Sequence, residues 1–237
     1  MLLLLLLMLV QPAEARTFVG VDDSMVCQSA ALKYEKQYQI KEHMLQTITN
    51  VETGRWNQEK GQTLGWPWTV NAQGKGRFYS SKAEAVKAVK ELQAKGVKSI
   101  DVGCMQINLK YHVDAFDSVE EALDPYKNVE YGAKFLKKLY KSKGNDWMKA
   151  AMAYHSGVLK KALRYKKKLV VAYAKVKQQN AKESVAEVSV KDNRHSALVP
   201  ATQQNSAKAA AKRQEAAAKA TAWREAKLKE YRDSKIQ

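Results

Sequence analysis

The sequence predicts a mainly α-helical domain with a small β-hairpin, followed by a basic low-complexity tail. Apolar residues recur at helical spacing through most of residues 24–177. Strand-like runs are confined to a short stretch around Gly74-Lys75-Gly76. Large apolar side chains thin out after about Gln178, where Gln, Asn, Ser and Lys take over. With 237 residues and an apolar fraction of 45%, the chain can bury one core of ordinary domain size.

In chain order, Ser24–Gln39 is expected to be helical, with Cys27, Ala30, Ala31 and Tyr34 on one side. Glu42–Val51 repeats the pattern with Leu45, Ile48 and Val51. Gly54 and the polar residues through Gly65 break it and are expected to form a loop. Trp66–Val70 and Arg77–Tyr79 supply the hairpin strands. Ser81 caps a helix bearing Ala85, Val89 and Leu92, which Gly96 stops. Pro125 suits the first turn of a helix running to about Tyr140, with Gly144 beyond it. A short helix covers Trp147–Tyr154, and a last one follows Gly157 with Leu159, Leu163 and Val170. Residues 178–206 have the composition of a linker, and 207–232 form an Ala- and Lys-rich segment that is strongly helix-forming but has no wide apolar stripe.

Met1–Ala15 reads as a signal peptide, with an unbroken apolar run at Leu2–Val10 and a small-x-small cleavage site at Ala13-Glu14-Ala15. Nine helical residues rise about 14 Å, too little to span a bilayer. No Lys or Arg precedes the run, which fits a true start further upstream. The divisions are therefore a signal peptide at 1–15, a folded domain at 16–177, and a linker and tail at 178–237. Export makes one disulfide between the two cysteines, Cys27 and Cys104, the favoured expectation, with two separate buried thiols as the alternative.

The formal net charge of +17 is unevenly placed. Residues 1–133 carry 15 Lys and Arg against 16 Asp and Glu, whereas residues 134–177 carry 14 against 1. Such a field favours a polyanionic partner. Neither interleaved base-stacking aromatics nor a nucleic-acid-binding motif accompanies it, so no nucleic-acid partner is expected. The basic residues 134–177 and the tail instead suit an anionic cell-envelope surface, and for the tail simple solubility is an equal alternative.

Among the acids, Glu52 stands where an apolar helix meets a glycine turn, at the lip of a core. A carboxyl that is partly dehydrated yet open to a cleft can hold a proton for a leaving oxygen near neutral pH. Position alone also fits a solvated helix-end charge. The neighbouring strings favour the first reading. Glu52-Thr53-Gly54-Arg55-Trp56 resembles the E-S-G/x-W segment of the soluble lytic transglycosylases, relatives of goose-type lysozyme. Gly103-Cys104-Met105-Gln106-Ile107-Asn108 matches that family's G-L-M-Q-I-N in five of six places. Ala153-Tyr154-His155-Ser156-Gly157 resembles its A-Y-N-A-G, and Asp124-Pro125 with Asn128 its D-P-x-x-N helix start. The four strings stand in the family's order and cover roughly Cys27 to Tyr165.

The resemblance implies a lysozyme-like domain that cleaves peptidoglycan between MurNAc and GlcNAc and leaves 1,6-anhydromuramic acid ends, without metal or organic cofactor. By position it makes Glu52 the single catalytic acid/base and Gln106, Met105, Asn108 and Tyr154 substrate-binding residues. Met105 would pack beneath a sugar ring, with a core role as an equal alternative. Cys104, where the family has Leu, fits a disulfide to Cys27 that ties the first helix to the cleft wall. Thr53 keeps the hydroxyl of the usual Ser. His155-Ser156 replaces Asn-Ala, and His155 is expected to be structural or substrate-lining. Asp101 is the nearest second carboxylate and is expected to be a turn or cap residue at the entry to a helix. Two rivals stay open: a hydrolase on the same fold, in which a held water replaces the sugar hydroxyl, and a non-catalytic wall-binding accessory of a secretion machine. The implied location is the periplasm or envelope of a Gram-negative bacterium.

Overall fold

Short polar residues set where most of the helices begin. The structure, a computed structural model, describes residues 22–196. The leader at 1–15 and the Ala- and Lys-rich stretch at 207–232 lie outside the described residues. Helix α1 (Asp23–Gln37) starts at Asp22, whose carboxylate accepts from Ser24 N at 3.0 Å. Ser81 opens α3 (Lys82–Ala94), Ser118 the single turn α4 (Val119–Ala122), Asp124 α5 (Pro125–Ser142) and Asp146 α6 (Trp147–His155). Each accepts from a first-turn N–H that would otherwise have no partner, a contribution of about 1 kcal/mol apiece.

Helix α2 (Met44–Thr53) has no such cap: His43 at its start lies in the left-handed region at φ 67°, and its side chain makes no capping hydrogen bond to the first turn. Glu35 of α1 does the work from a distance. Its buried carboxylate accepts from His43 N at 2.9 Å, Leu45 N at 2.7 Å and Gln46 N at 3.1 Å. The positive end of α2 thus faces a negative charge inside the core.

Strands β1 (Gly54–Asn57) and β2 (Gln62–Gly65) pair antiparallel directly after α2, so the loop expected between Gly54 and Gly65 is a hairpin. Its alternation is hidden because β1 is only half-buried at its ends and exposes Arg55 and Trp56. Gly54 makes the abrupt helix-to-strand turn: a Cβ there would lie 2.2 Å from Asn50 O. The second sheet runs in the order β4-β3-β5-β6, from β3 (Thr69–Ala72), β4 (Lys75–Phe78), β5 (Ile100–Val102) and β6 (Ile107–Asn108). The expected hairpin is present, starting at Thr69 rather than Trp66. Asp101 is a strand residue, not the turn or cap expected. The G-C-M-Q-I-N string forms a turn into β6, not the start of a helix, and the β5–β6 register sets Asp101 opposite Asn108.

Two clusters fill the interior. Ala30, Ala31, Leu45, Ile48, Val129, Ala133, Leu136, Ala150 and Leu169 pack α1, α2, α5 and α6 onto α7 (Leu159–Ser196), the alanines letting backbones approach closely. Trp68, Val70, Val89, Ile100, Val102 and Leu123 pack the larger sheet against α3 and α4. The first compact unit of the chain ends at Gln179, and α7 is helical through residues 178–196, which were expected to begin a linker. Among the described residues no helix is long and apolar enough to cross a membrane.

Candidate active site

The Gly103–Asn108 segment forms one wall of a cleft, and four ties fix it there. Cys104 is joined to Cys27 of α1 by a disulfide. The Thr53 hydroxyl lies 3.0 Å from Thr49 O and 3.1 Å from Cys104 O, linking the end of α2 to the segment. Asn128, fully buried on α5, accepts from Met105 N at 2.8 Å and donates to Val102 O at 3.0 Å and Ala122 O at 2.9 Å. The Tyr154 hydroxyl of α6 donates to Met105 O at 2.8 Å. Gly103 has φ 76°, and a Cβ on it would lie 2.5 Å from the Asn128 amide. Gln106 adopts φ 49° without being glycine, a strained conformation held by the surrounding ties.

The cleft has a volume of about 310 Å³, and Glu52, Asn71, Asp101, Gln106, Tyr154 and His155 are among its lining residues. Glu52, next to last in α2, has a side chain 15% exposed, so its carboxyl is largely dehydrated but reachable. Its Oε1 lies 3.8 Å from His155 Nδ1. His155 ends α6 and stacks on Tyr165 of α7, with ring centroids 4.2 Å apart and planes 2° from parallel. The buried Tyr165 hydroxyl does not meet hydrogen-bond geometry with any partner, yet it feels the nearby Glu52 charge. Burial and that charge hold the Tyr165 phenol well above the ordinary tyrosine range, and the same two causes act on Tyr154. Both therefore keep their protons: that of Tyr154 is held on Met105 O, and that of Tyr165 is left on the Glu52 side of the site.

Across the cleft, burial raises the Asp101 carboxyl above the ordinary aspartate range, the hydrogen bond from Asn108 opposes this, and the Glu52 charge adds to it. Asn108 Nδ2 donates to Asp101 Oδ1 at 2.8 Å, and Asn71 Nδ2 lies 3.3 Å from Oδ2. The two carboxylates thus belong to one electrostatic site.

The residues singled out from sequence divide. Glu52, Gln106, Asn108 and Tyr154 meet at the cleft. Gln106 Nε2 donates to Thr69 O at 3.2 Å and Gly103 O at 3.1 Å, leaving its carbonyl oxygen to accept from a ligand. Asn108 directs its hydrogen bonds inward, its Oδ1 accepting from Lys110 N at 3.0 Å, so it organises the cleft edge. Met105 does not reach the cleft. It is fully buried, and a Cβ on Gly132 would lie 2.8 Å from its Cε, so its backbone alone serves the site. Tyr165 and Asn71 carry no motif and were missed. Asn71 was discoverable only through register, which sets it opposite Asp101. Tyr165 is brought back by the α6–α7 turn. Among the described residues no group of three or more His, Cys, Asp or Glu could hold a metal ion.

A helical domain with a small sheet, and a glutamate at the end of a core helix facing the cleft between them, defines a lysozyme-like glycan-cleaving class. The chain belongs to the transglycosylase SLT domain family, whose model matches residues 29–177. No curated protein and no solved structure gives a significant match. The family consists of lytic transglycosylases acting on peptidoglycan, so the chain is an enzyme of that class by membership.

Proposed function

We propose that Glu52 is the single acid/base of a lytic transglycosylase reaction at the MurNAc-β-1,4-GlcNAc bond. The observation that carries the reading is a largely dehydrated carboxyl at the cleft, beside the retained proton of the buried Tyr165. Protonated Glu52 gives its proton to the glycosidic oxygen as the C–O bond breaks. The N-acetyl group of the muramic acid stabilises the cationic carbon. Glu52, now a carboxylate, takes the proton of the sugar's own 6-hydroxyl as that oxygen closes on the same carbon. The product is a 1,6-anhydro end, with no net use of water and no cofactor. Gln106 supplies an acceptor for the substrate, and Tyr154 holds the cleft wall through Met105 O.

One observation favours a second reading. Asp101 lines the same cleft as Glu52 and feels its charge, and a two-carboxylate hydrolase needs such a second carboxylate to act as base or nucleophile opposite the acid. Mass spectrometry of products from purified peptidoglycan separates the two, since anhydro ends are lighter than reducing ends by one water. Glu52→Gln should lower turnover on the order of 100- to 10,000-fold. Asp101→Asn should change it by less than about tenfold if the sugar hydroxyl is the nucleophile. Reducing ends as the main product, with Asp101→Asn as damaging as Glu52→Gln, would establish the hydrolase instead. Export by the Met1–Ala15 leader, and attraction of the basic residues to an anionic envelope surface, belong to the same proposal.

A further inference from the structure

Beside the β1–β2 hairpin, and sharing no lining residue with the cleft, a second groove of about 650 Å³ runs between β1 and α7. Trp56 stands on one side and is 60% exposed, although its indole N–H is already satisfied by Gln58 Oε1 at 2.9 Å. Its ring is therefore held in place while its face stays in water. The other side comes from α7: Val171, 57% exposed, and Ala172 form an apolar strip, bordered by Lys167, Lys168 and Lys175. Among the described residues none of these three lysines makes an ion pair, and from Leu159 to Gln179 the helix carries eight Lys or Arg and no Asp or Glu. An exposed tryptophan beside an apolar strip with a polar rim marks a binding surface, and the surrounding lysines favour an acidic ligand. Together they match a ligand that has flat apolar faces and several carboxylates.

We propose that this groove is a second binding site for peptidoglycan, one that takes a sugar ring against Trp56 and the carboxylates of a stem peptide against Lys167, Lys168 and Lys175. The inference rests on peptidoglycan as the substrate but not on Glu52 being the acid/base. Trp56 lies four residues beyond Glu52, so the site would hold a strand, or its neighbour, close to the cleft. A sugar face stacks on an indole with little need for orientation, and the ammonium groups then favour strands that still carry their peptides.

The test uses the full-length chain in the cold over incubations short enough that no soluble fragments are released, and measures co-sedimentation with purified sacculi before and after an amidase has removed the stem peptides. Trp56→Ala should weaken binding to both forms about tenfold, which corresponds to 1.4 kcal/mol. The triple change Lys167→Ala, Lys168→Ala, Lys175→Ala should weaken binding to intact sacculi by a similar factor and leave peptide-free glycan unaffected. Three arginines at the same positions should restore it. The matched change Lys138→Ala, Lys141→Ala, Lys143→Ala removes equal charge from an exposed stretch elsewhere and should have a smaller effect. All these positions are exposed, and an unchanged melting temperature certifies each fold. Equal losses from the two lysine triples would reduce the groove to bulk charge and overturn the proposal. So would undiminished sacculus binding by the Trp56 variant, or groove changes that weaken binding to phosphatidylglycerol vesicles but not to sacculi. If the wild-type chain neither binds nor cleaves sacculi, it is the peptidoglycan reading that fails.

Discussion

Replacing Asn128 with alanine would remove, in one step, the side chain that ties α5 to the cleft wall. Its amide satisfies three backbone groups: Met105 N–H, Val102 C=O and Ala122 C=O. All three bonds are buried, and the side chain is fully enclosed. A buried polar group that loses its partner costs about 1–3 kcal/mol, so three orphaned groups, partly relieved by relaxation, should cost about 3–5 kcal/mol. A domain of this size has roughly 5–15 kcal/mol of stability in total, and each kcal/mol shifts the melting temperature by about 2–4 °C. The variant should therefore melt about 10 °C or more below the parent. Urea titration followed by circular dichroism and tryptophan fluorescence reads the change as a lower midpoint at an unchanged slope. Turnover should fall as well, because Gln106 and the strained turn at φ 49° depend on the same ties. Asn128→Asp keeps an acceptor for Met105 N but loses both donors and buries a charge, so it should be no better. A loss below about 1 kcal/mol, or a large loss of stability with turnover intact, would refute the claim that this amide organises the site.

Two other groups give independent tests. The Cys27–Cys104 bond closes a loop of 77 residues, which in the chain-entropy account corresponds to about 4 kcal/mol. The denatured, unreduced chain should show no thiol to Ellman's reagent, and two free thiols would refute the pairing. Burial raises the Glu35 carboxyl above the ordinary value of 4.5, outweighing the hydrogen bonds at the start of α2. The folded protein therefore keeps this proton to higher pH than the unfolded chain does. Glu35's contribution is full below the unfolded value and is lost as pH rises through the folded one. Unfolding free energies of the parent minus those of Glu35→Gln should fall across that window, and a difference that rises with pH would refute the assignment.

Local chemistry was legible in the sequence. Ser81, Asp124-Pro125 and Gly96 mark helix ends because capping depends on residues within one turn, and the apolar periodicity of α1, α2, α3 and α5 survives because each shows one face to a core. Glu52, Gln106 and Tyr154 stood in short strings whose order survives in one dimension. The β1–β2 hairpin was not legible. Its strands are too short and too exposed for alternation to show, and its position is set by Gly54 packing against Asn50 and Gly65 against Cys27 and Thr49. Nor could spacing show that Met105 points into the core and only its backbone faces the site, since a one-residue change of direction is decided by what Gly132 leaves room for. The cap expected at Asp101 is absent because its place comes from register: pairing opposite Asn71 and Asn108 sets its carboxyl in the cleft that Glu52 also lines. The sequence alone determined which groups could do chemistry. Only tertiary structure decided which carboxyls are dehydrated and which of them face the cleft, because burial and neighbouring charge come from segments distant in the chain and cannot be inferred from either segment by itself.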